Sequence, residues 1–528
     1  MTFSGPPSRV RILFLFFLAV SAFAVRVHGI GSLSLCDAEV IKWRAVQEYQ
    51  HGHFIGVNSE HPMLMKLMAW GSITLGHNFN ESLPAGSPHH LNEETILRAP
   101  NLLVGAATTI VLFLFGDEIL GPVAGTIAAI FWAYLPLPIA INRLLKEDTL
   151  LVFFTYLAFY FFLRAKREVE DRGGERFFWL SGLCFGLALA SKYYLHYLGI
   201  FLLFWHVAGR LGLDTRPLWK TRRSGIGFWL AMGLAFVAAN PVILSFANDR
   251  TILNYTEGGT IVFHGHLVNG HVYMNTIDST PFGMPVYFYA WMIGAKTPLP
   301  VLAVILAGII MVFFARRSLA AIFLRTMLLF YFIPLSLIDP KTIRYLCDML
   351  PFIFLLGGFA IQRCYEWLSQ MHTPLLFRRP AAAIATVVFI IWPTTESLAS
   401  SPYFTLYLNQ AAGGRQDSGK FFPPDEIDDL GIRETVQYLC QTAPPGAVLA
   451  VNNPGLVRYY LEEYHRPDIR LEAFYDPRYK MRAGDLVVLQ ESRRYFETED
   501  LSALLKRHGQ LLREVRLGGV LTASVYRY

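Results

Sequence analysis

Eleven apolar runs, each close to the roughly 20 residues that a helix needs to cross a bilayer, dominate the chain. They lie at about 11–29, 98–116, 119–137, 148–165, 177–191, 194–208, 225–246, 298–315, 320–337, 344–363 and 379–397. Backbone polar groups in hydrocarbon must be satisfied internally, so continuous runs of this length form helices. The sequence therefore predicts a mainly α, polytopic membrane protein with about eleven transmembrane helices. Composition agrees: of 528 residues, 53% are hydrophobic and 14% aromatic. The mean hydropathy of +0.37 is too apolar for a soluble enzyme of this length. Membrane lipids, and no nucleic acid, are its expected surroundings.

The loops orient the spans, because cytoplasmic connections carry the Lys/Arg excess. Basic clusters fall at Arg9 and Arg11, at Arg164–Arg176, at Arg210–Arg223, at Arg316 and Arg317, and at Arg363, Arg378 and Arg379. With the N-terminus inside, all of them are cytoplasmic. The loops at 30–97, 138–147, 247–297 and 338–343 then share the outer side with the C-terminal tail. The first span is expected to be an uncleaved anchor. Arg9, Arg11, the Ile12–Val20 core and Ala22-Phe23-Ala24 also fit a cleavable secretory signal, and either reading exports residues 30–97.

Composition shifts after Leu398, which divides the chain into a membrane domain over 1–399 and a small extracytoplasmic α/β domain over 400–528. Pro424-Asp425-Glu426 is expected to open a helix running to about Cys440, with acids in its first turn where the dipole favours them. Residues 447–451, 485–489 and 523–526 read as strands, and Ala443-Pro444-Pro445-Gly446 as a turn. No fixed-period repeat is present. The five cysteines, Cys36, Cys184, Cys347, Cys364 and Cys440, lack metal-site spacing. Free thiols are the plain expectation, with a Cys36–Cys347 disulfide as the alternative.

The polar residues crowd the outer side. Cys36-Asp37-Ala38-Glu39 and Glu60-His61-Pro62-Met63-Leu64-Met65-Lys66 lie in the first outer loop, and Arg143 to Asp148 opens the fourth span. This set resembles the polyprenyl-phosphate-dependent glycosyltransferases of the GT-C fold, which include the protein O-mannosyltransferases and the lipid A aminoarabinose transferase. Gly182 to Lys192-Tyr193, Phe263-His264, Pro285 to Tyr289, Pro298-Leu299-Pro300, Lys341-Thr342-Ile343-Arg344-Tyr345 and Pro402 to Gly414 resemble further family elements. Two departures stand out. The family's adjacent Asp-Glu is Asp37-Ala38-Glu39 here, and its second proline is Met63.

The resemblance implies an integral membrane enzyme of the inner (plasma) membrane. It would move a sugar from a polyprenyl-phosphate donor to a hydroxyl of a protein, lipid or glycan acceptor, with inversion. A carboxylate must accept the hydroxyl proton, and cations must meet the charge developing on the leaving phosphate. Asp37 is the expected base, Asp148 orients the acceptor, and Glu39 is the further catalytic candidate. His61, Lys66, Arg143, Lys192, His264, Lys341, Arg344 and Tyr345 are the expected substrate-binding residues. Arg344 comes first for the phosphate, since a guanidinium can grip it with two prongs. His266 and His271 share the large outer loop, and Tyr287 and Tyr289 read as aromatic-belt residues. No metal and no cofactor are expected. A transporter or flippase, which would bury charge along a midplane path, and an inactive scaffold are the competing readings. The transferase reading requires Asp37, Asp148 and Arg344 to converge on one outward-facing pocket.

Overall fold

The computed structural model describes residues 9–58, 60–168, 171–247, 249–250, 262–276, 283–315, 318–370, 383–494 and 496–528, with backbone alone at 171–173, 195, 262–264 and 497. Arg316, Arg317, Arg378 and Arg379 of the basic clusters lie outside the described residues.

A helix lies at each of the eleven apolar runs. The first seven are α1 (Arg9–Val27), α4 (Glu93–Ile119), α5 (Pro122–Tyr134), α7 (Glu147–Arg167), α8 (Asp171–Ser191), α9 (Leu195–Arg210) and α10 (Arg222–Ala239). Helices over Leu299–Phe314, Leu319–Leu337, Leu350–Gln370 and Ala383–Leu398 follow. Among the described residues, four helices are long and apolar enough to cross a membrane, namely the N-terminal one, α4, α7 and Leu319–Leu337. A fifth crossing results if α5 is joined to α6 (Pro136–Asn142) across their 60° bend. Pro136 causes that break, since its ring cannot continue the preceding helix. The remaining apolar helices are shorter, less apolar or more charged, so the expected count of eleven goes beyond what these helices establish.

The first outer loop is itself folded. It holds α2 (Asp37–Gln50) and α3 (Leu64–Glu81). Asp37 and Glu39 occupy the first turn of α2, where the unpaired N–H groups favour negative charge. Met65, Ala69 and Ile73 recur at helical spacing along α3 and are buried. Packing between membrane helices depends on small residues. Gly182 of α8 lies so close to α10 that a Cβ would stand 2.1 Å from the Phe228 carbonyl oxygen, the backbone approach that small residues allow.

In the large outer loop, β1 (Val262–Val268) and β2 (His271–Thr276) form an antiparallel hairpin that the sequence reading does not anticipate. The C-terminal domain has a five-stranded sheet of order β4-β3-β5-β7-β6. Its strands are β3 (Val448–Val451), β4 (Arg470–Ala473), β5 (Leu486–Gln490), β6 (Gln510–Leu517) and β7 (Val520–Arg527). β3 is parallel to β4 and β5, while β7 is antiparallel to β5 and β6. The three expected strands are β3, β5 and β7. β4 and β6 are additional.

The helix expected from Pro424 starts only at Ile432 and runs to Thr442. The Asp425 carboxylate accepts the backbone N–H groups of Ile427, Asp428 and Leu430 at 2.6–3.1 Å, and this local alternative displaces the helix. Asp429 and Gly431 then take positive φ. All five cysteines are free.

The domain packs directly on the first outer loop. Leu35, Val40, Val46, Met65 and Ile73 share one apolar core with Ile432, Val436, Leu449, Tyr460 and Val488. Beneath that core lies a buried ion pair. Arg98 of α4 meets Glu39 at 2.7 Å (Nε–Oε1) and 2.5 Å (Nη2–Oε2). The Glu39 oxygens also accept the N–H groups of Leu145 and Cys36 at 2.8 and 3.0 Å, and Arg98 donates to the Leu33 and Ser34 carbonyls. Removing one partner of such a pair leaves an uncompensated buried charge, at a cost of about 3–5 kcal/mol. Arg98→Met is therefore expected to lower the thermal midpoint of the detergent-purified protein sharply. An unchanged midpoint would show that the pair does not hold the outer loop.

Candidate active site

Five separate elements meet beside this core. After the 60° bend at Pro136 the fully buried α6 leads into a turn through Arg143–Lys146 and then into α7. That turn is held from α4, whose Asn101 amide donates to the carbonyls of Leu144 and Lys146. Glu147 and Asp148 follow as the first residues of α7, again at a helix N-terminus. Lys42 comes from α2, Glu60–Lys66 from the start of α3, Lys192 from the end of α8, and Arg344 with Tyr345 from a short turn at Ile343–Leu346.

Their side chains form one charge network. Lys42 Nζ stands 3.0 Å from Glu147, and His61 Nε2 lies 3.7 Å from Glu147 and 3.3 Å from Glu60. Lys66 Nζ donates to Asn58 Oδ1 and to the His61 carbonyl at 3.1 and 2.8 Å. Lys192 Nζ pairs with Asp148 at 2.7 Å and sits over the Tyr194 and Tyr345 rings at 4.4 and 5.0 Å. Lys146 and Arg344 are within electrostatic reach of each other, and Arg344 is within reach of Asp148, Glu60 and Glu147.

Among the described residues neither Lys146 nor Arg344 has a carboxylate within ion-pair distance. Lys146, 4% exposed, has its ammonium held down to about 7 by burial and by the charges of Arg344 and Lys42. Burial likewise brings Lys66 down to about 8, whereas at Lys192 burial is outweighed by Asp148 acting together with Tyr194, Tyr345 and Asp348, and the ammonium is raised. Five basic side chains, Lys42, Lys66, Lys146, Lys192 and Arg344, thus gather around Glu60, Glu147 and Asp148, with Asp348 also within electrostatic reach of Lys192. The basic excess favours an anion. The two Glu147 oxygens are buried without a well-aligned hydrogen bond, which leaves lone pairs for a further donor.

Of the residues singled out in the sequence, the structure brings His61, Lys66, Asp148, Lys192, Arg344 and Tyr345 together. Asp37 is not among them: 38% of its side chain is exposed, its N–H donates to Asp429, and Arg493 Nη2 stands 3.9 Å from its carboxylate. The adjoining Cys36 is within electrostatic reach of Lys146, which places the start of α2 beside the network. Glu39 is fully enclosed with both oxygens taken by Arg98 and by backbone N–H groups, so it presents no free lone pair to a substrate. Arg143 is tied to the carbonyls of Pro402 and His28 at 2.6 and 3.1 Å and stacks on Phe404. Lys341 is buried against Asp339 at 2.5 Å. His264 lies in β1, and its side chain is outside the described residues.

Lys42, Glu60, Lys146 and Glu147 were not singled out. Glu60 and Glu147 adjoin residues that were, and Lys146 lies near the end of the predicted loop at 138–147. Lys42 is three residues beyond Glu39 on α2, and no local pattern marks it. Among the described residues no three His, Cys, Asp or Glu side chains are grouped so as to hold a metal ion.

Residues 90–244, which contain α4 to α10, match the family described as dolichyl-phosphate-mannose-protein mannosyltransferase. No curated protein matches the chain. Among solved structures, the ArnT of Cupriavidus metallidurans bound to undecaprenyl phosphate superposes with a TM-score of 0.53 at 12% identity, over 97% of this chain and 98% of that one. The oligosaccharyltransferase of Archaeoglobus fulgidus in its apo form also gives 0.53 at 12% identity, over 89% of this chain and 66% of that one. The expected resemblance is thus met by both kinds of comparison, and the chain carries the GT-C glycosyltransferase fold, with its central helices matching the dolichyl-phosphate-mannose-protein mannosyltransferases.

Proposed function

We propose that this chain transfers a sugar from a polyprenyl-phosphate donor to an acceptor hydroxyl at the outer face of the membrane. The observation that carries this reading is a pair of buried cations without a carboxylate at ion-pair distance, Lys146 and Arg344, beside the Asp148–Lys192 pair. A phosphodiester donor carries about one negative charge, and breaking its bond to the sugar leaves a phosphate with about two. Cations fixed before the reaction stabilise that increment more than the ground state, which is how a preorganised site lowers a barrier. The acceptor oxygen bonds to the anomeric carbon as the carbon–oxygen bond to phosphate breaks, and configuration inverts. The hydroxyl proton goes to the Asp37 carboxylate. Asp148 holds Lys192 in place and, with Glu147, lies where an acceptor hydroxyl can be oriented. The undecaprenyl phosphate bound to the Cupriavidus ArnT and the mannosyl-transfer family match over 90–244 support a lipid-phosphate donor.

Incubating membranes with a panel of labelled polyprenyl-phosphate sugars tests the activity, and product mass identifies the acceptor. Asp37→Asn is expected to abolish transfer while leaving donor binding largely intact. Retained turnover would dismiss Asp37 and direct attention to Glu60, whose side chain is 41% exposed on the same network.

Arg344→Ala is expected to weaken undecaprenyl phosphate binding at least tenfold, and an unchanged affinity would remove Arg344 from the donor site. Activity is expected to survive chelation, because the chain supplies the cations. Loss restored by manganese or magnesium would overturn that.

Lys146 sets a pH dependence. It is held near 7 in the free protein, and a docked phosphate raises it, so above pH 7 binding takes up a proton and affinity falls as pH rises. The limit is about tenfold per pH unit. Undecaprenyl phosphate affinity is expected to drop between pH 7.5 and 9, where the phosphate's own second ionisation near 6 is complete. Lys146→Met should make the profile shallower, leaving the part that Lys66, held down to about 8, contributes.

A further inference from the structure

Arg344 stands on a strap, Asp339–Leu346, that is gripped from two other parts of the chain. On one side is the hairpin of the large outer loop. The Asn275 side chain accepts the Lys341 N–H at 2.7 Å and donates to the Lys341 carbonyl at 2.9 Å. On the other side is the segment leading into the C-terminal domain. Glu426 Oε1 accepts the Ile343 N–H at 2.6 Å, one residue before Arg344, and the Thr342 hydroxyl also bonds to this carboxylate. Glu426 Oε2 faces His266 Nε2 of β1 at 3.3 Å, with both side chains nearly enclosed.

Burying a carboxylate here is costly unless it is paired. The His266 ring and the strap's own donors supply the partners. Glu426 also lines a small cavity with Lys296, Met292, Ile343 and Thr405, and Lys296 Nζ donates to the Thr405 carbonyl at 2.6 Å. One carboxylate therefore joins the strap, the hairpin and the linker.

We infer that Glu426 is a positioning residue for the lipid-phosphate grip: by holding the Ile343 N–H and pairing with His266, it fixes the turn that aims Arg344 at the anion site. This rests on Arg344 binding the donor phosphate, as proposed above. Freed of Glu426, the turn gains backbone freedom, and ordering it again would consume binding free energy.

The test measures undecaprenyl phosphate affinity and thermal midpoint on the full-length purified protein. Glu426→Ala is expected to weaken binding about tenfold. Glu426→Gln keeps an oxygen for the Ile343 N–H and should restore most of that loss. In an Arg344→Ala background, Glu426→Ala should have little further effect, because a residue acting through Arg344 is not additive with its removal. Additive losses would overturn the inference and indicate a merely structural residue, as would wild-type affinity in Glu426→Ala. Should Glu426→Ala fail to fold, equal and additive losses in Glu426→Gln would overturn it equally. If Arg344→Ala itself leaves affinity unchanged, the donor reading fails first. If only Glu426→Ala does so, this inference alone fails.

Discussion

The buried pair between Glu39 and Arg98 is the constraint on which the arrangement of the first long loop, the candidate site and the C-terminal domain depends. Glu39 closes the first turn of α2, and Arg98 projects from the second turn of α4 and gathers the Leu33 and Ser34 carbonyls. The same carboxylate reaches the Leu145 N–H, one residue before Lys146. A single ion pair therefore fixes α2 and α4 relative to the turn that delivers Lys146, Glu147 and Asp148. Because burial strengthens electrostatics and penalises any unpaired member, the arrangement is held to one geometry. The C-terminal domain completes the enclosure, its Tyr460 hydroxyl accepting the Leu35 N–H at 2.6 Å and its Arg433 donating to the Gly31 and Ser32 carbonyls.

Within that frame, cations divide into two kinds. Arg98, Arg143 and Lys341 are each consumed by structure, by Glu39, by backbone carbonyls and by Asp339 respectively. Lys146 and Arg344 are not. Burial and the neighbouring cations disfavour the charge on Lys146, whereas Arg344 is supported at longer range by Asp148, Glu60 and Glu147. Buried cations without a direct partner beside well-paired neighbours are the feature on which the proposed phosphate site rests.

Much of this was legible in the sequence, and the remainder was hidden for a definite reason. The length of continuous apolar runs located a helix at every expected position, and Pro/Gly punctuation located three strands of the C-terminal sheet. The His61–Lys66 element, Asp148, Lys192 and Arg344 could be read as one set because they share an outer side and a family pattern. The sequence ranks Asp37 ahead of Glu39 but still keeps Glu39 as a catalytic candidate, since its partner Arg98 is 59 residues away and only the folded chain shows that both its oxygens are occupied. Arg143 and Lys341 misled in the same way: a cation in an outer loop looks available until the carbonyls of His28 and Pro402, or the Asp339 carboxylate, are seen around it. Lys42 escaped notice because its relation to Glu147 exists only across packed helices. The helix expected from Pro424 was lost to Asp425, whose side chain binds the N–H groups that a helix would have turned inward.

That last substitution of turn for helix has a structural consequence. Because Asp425 winds the chain into a compact turn, the neighbouring Glu426 is held against the strap at Ile343, and Asp428 is brought within 2.7 Å of the Thr405 hydroxyl. A regular helix from Pro424 would rise about 1.5 Å per residue and carry these three acids away along its axis onto separate faces. The irregular segment instead delivers them to three different contacts within four residues. The junction between membrane helices and C-terminal sheet is thus more than a tether: it supplies the contacts by which the outer domain, the large-loop hairpin and the cation-bearing strap become one unit.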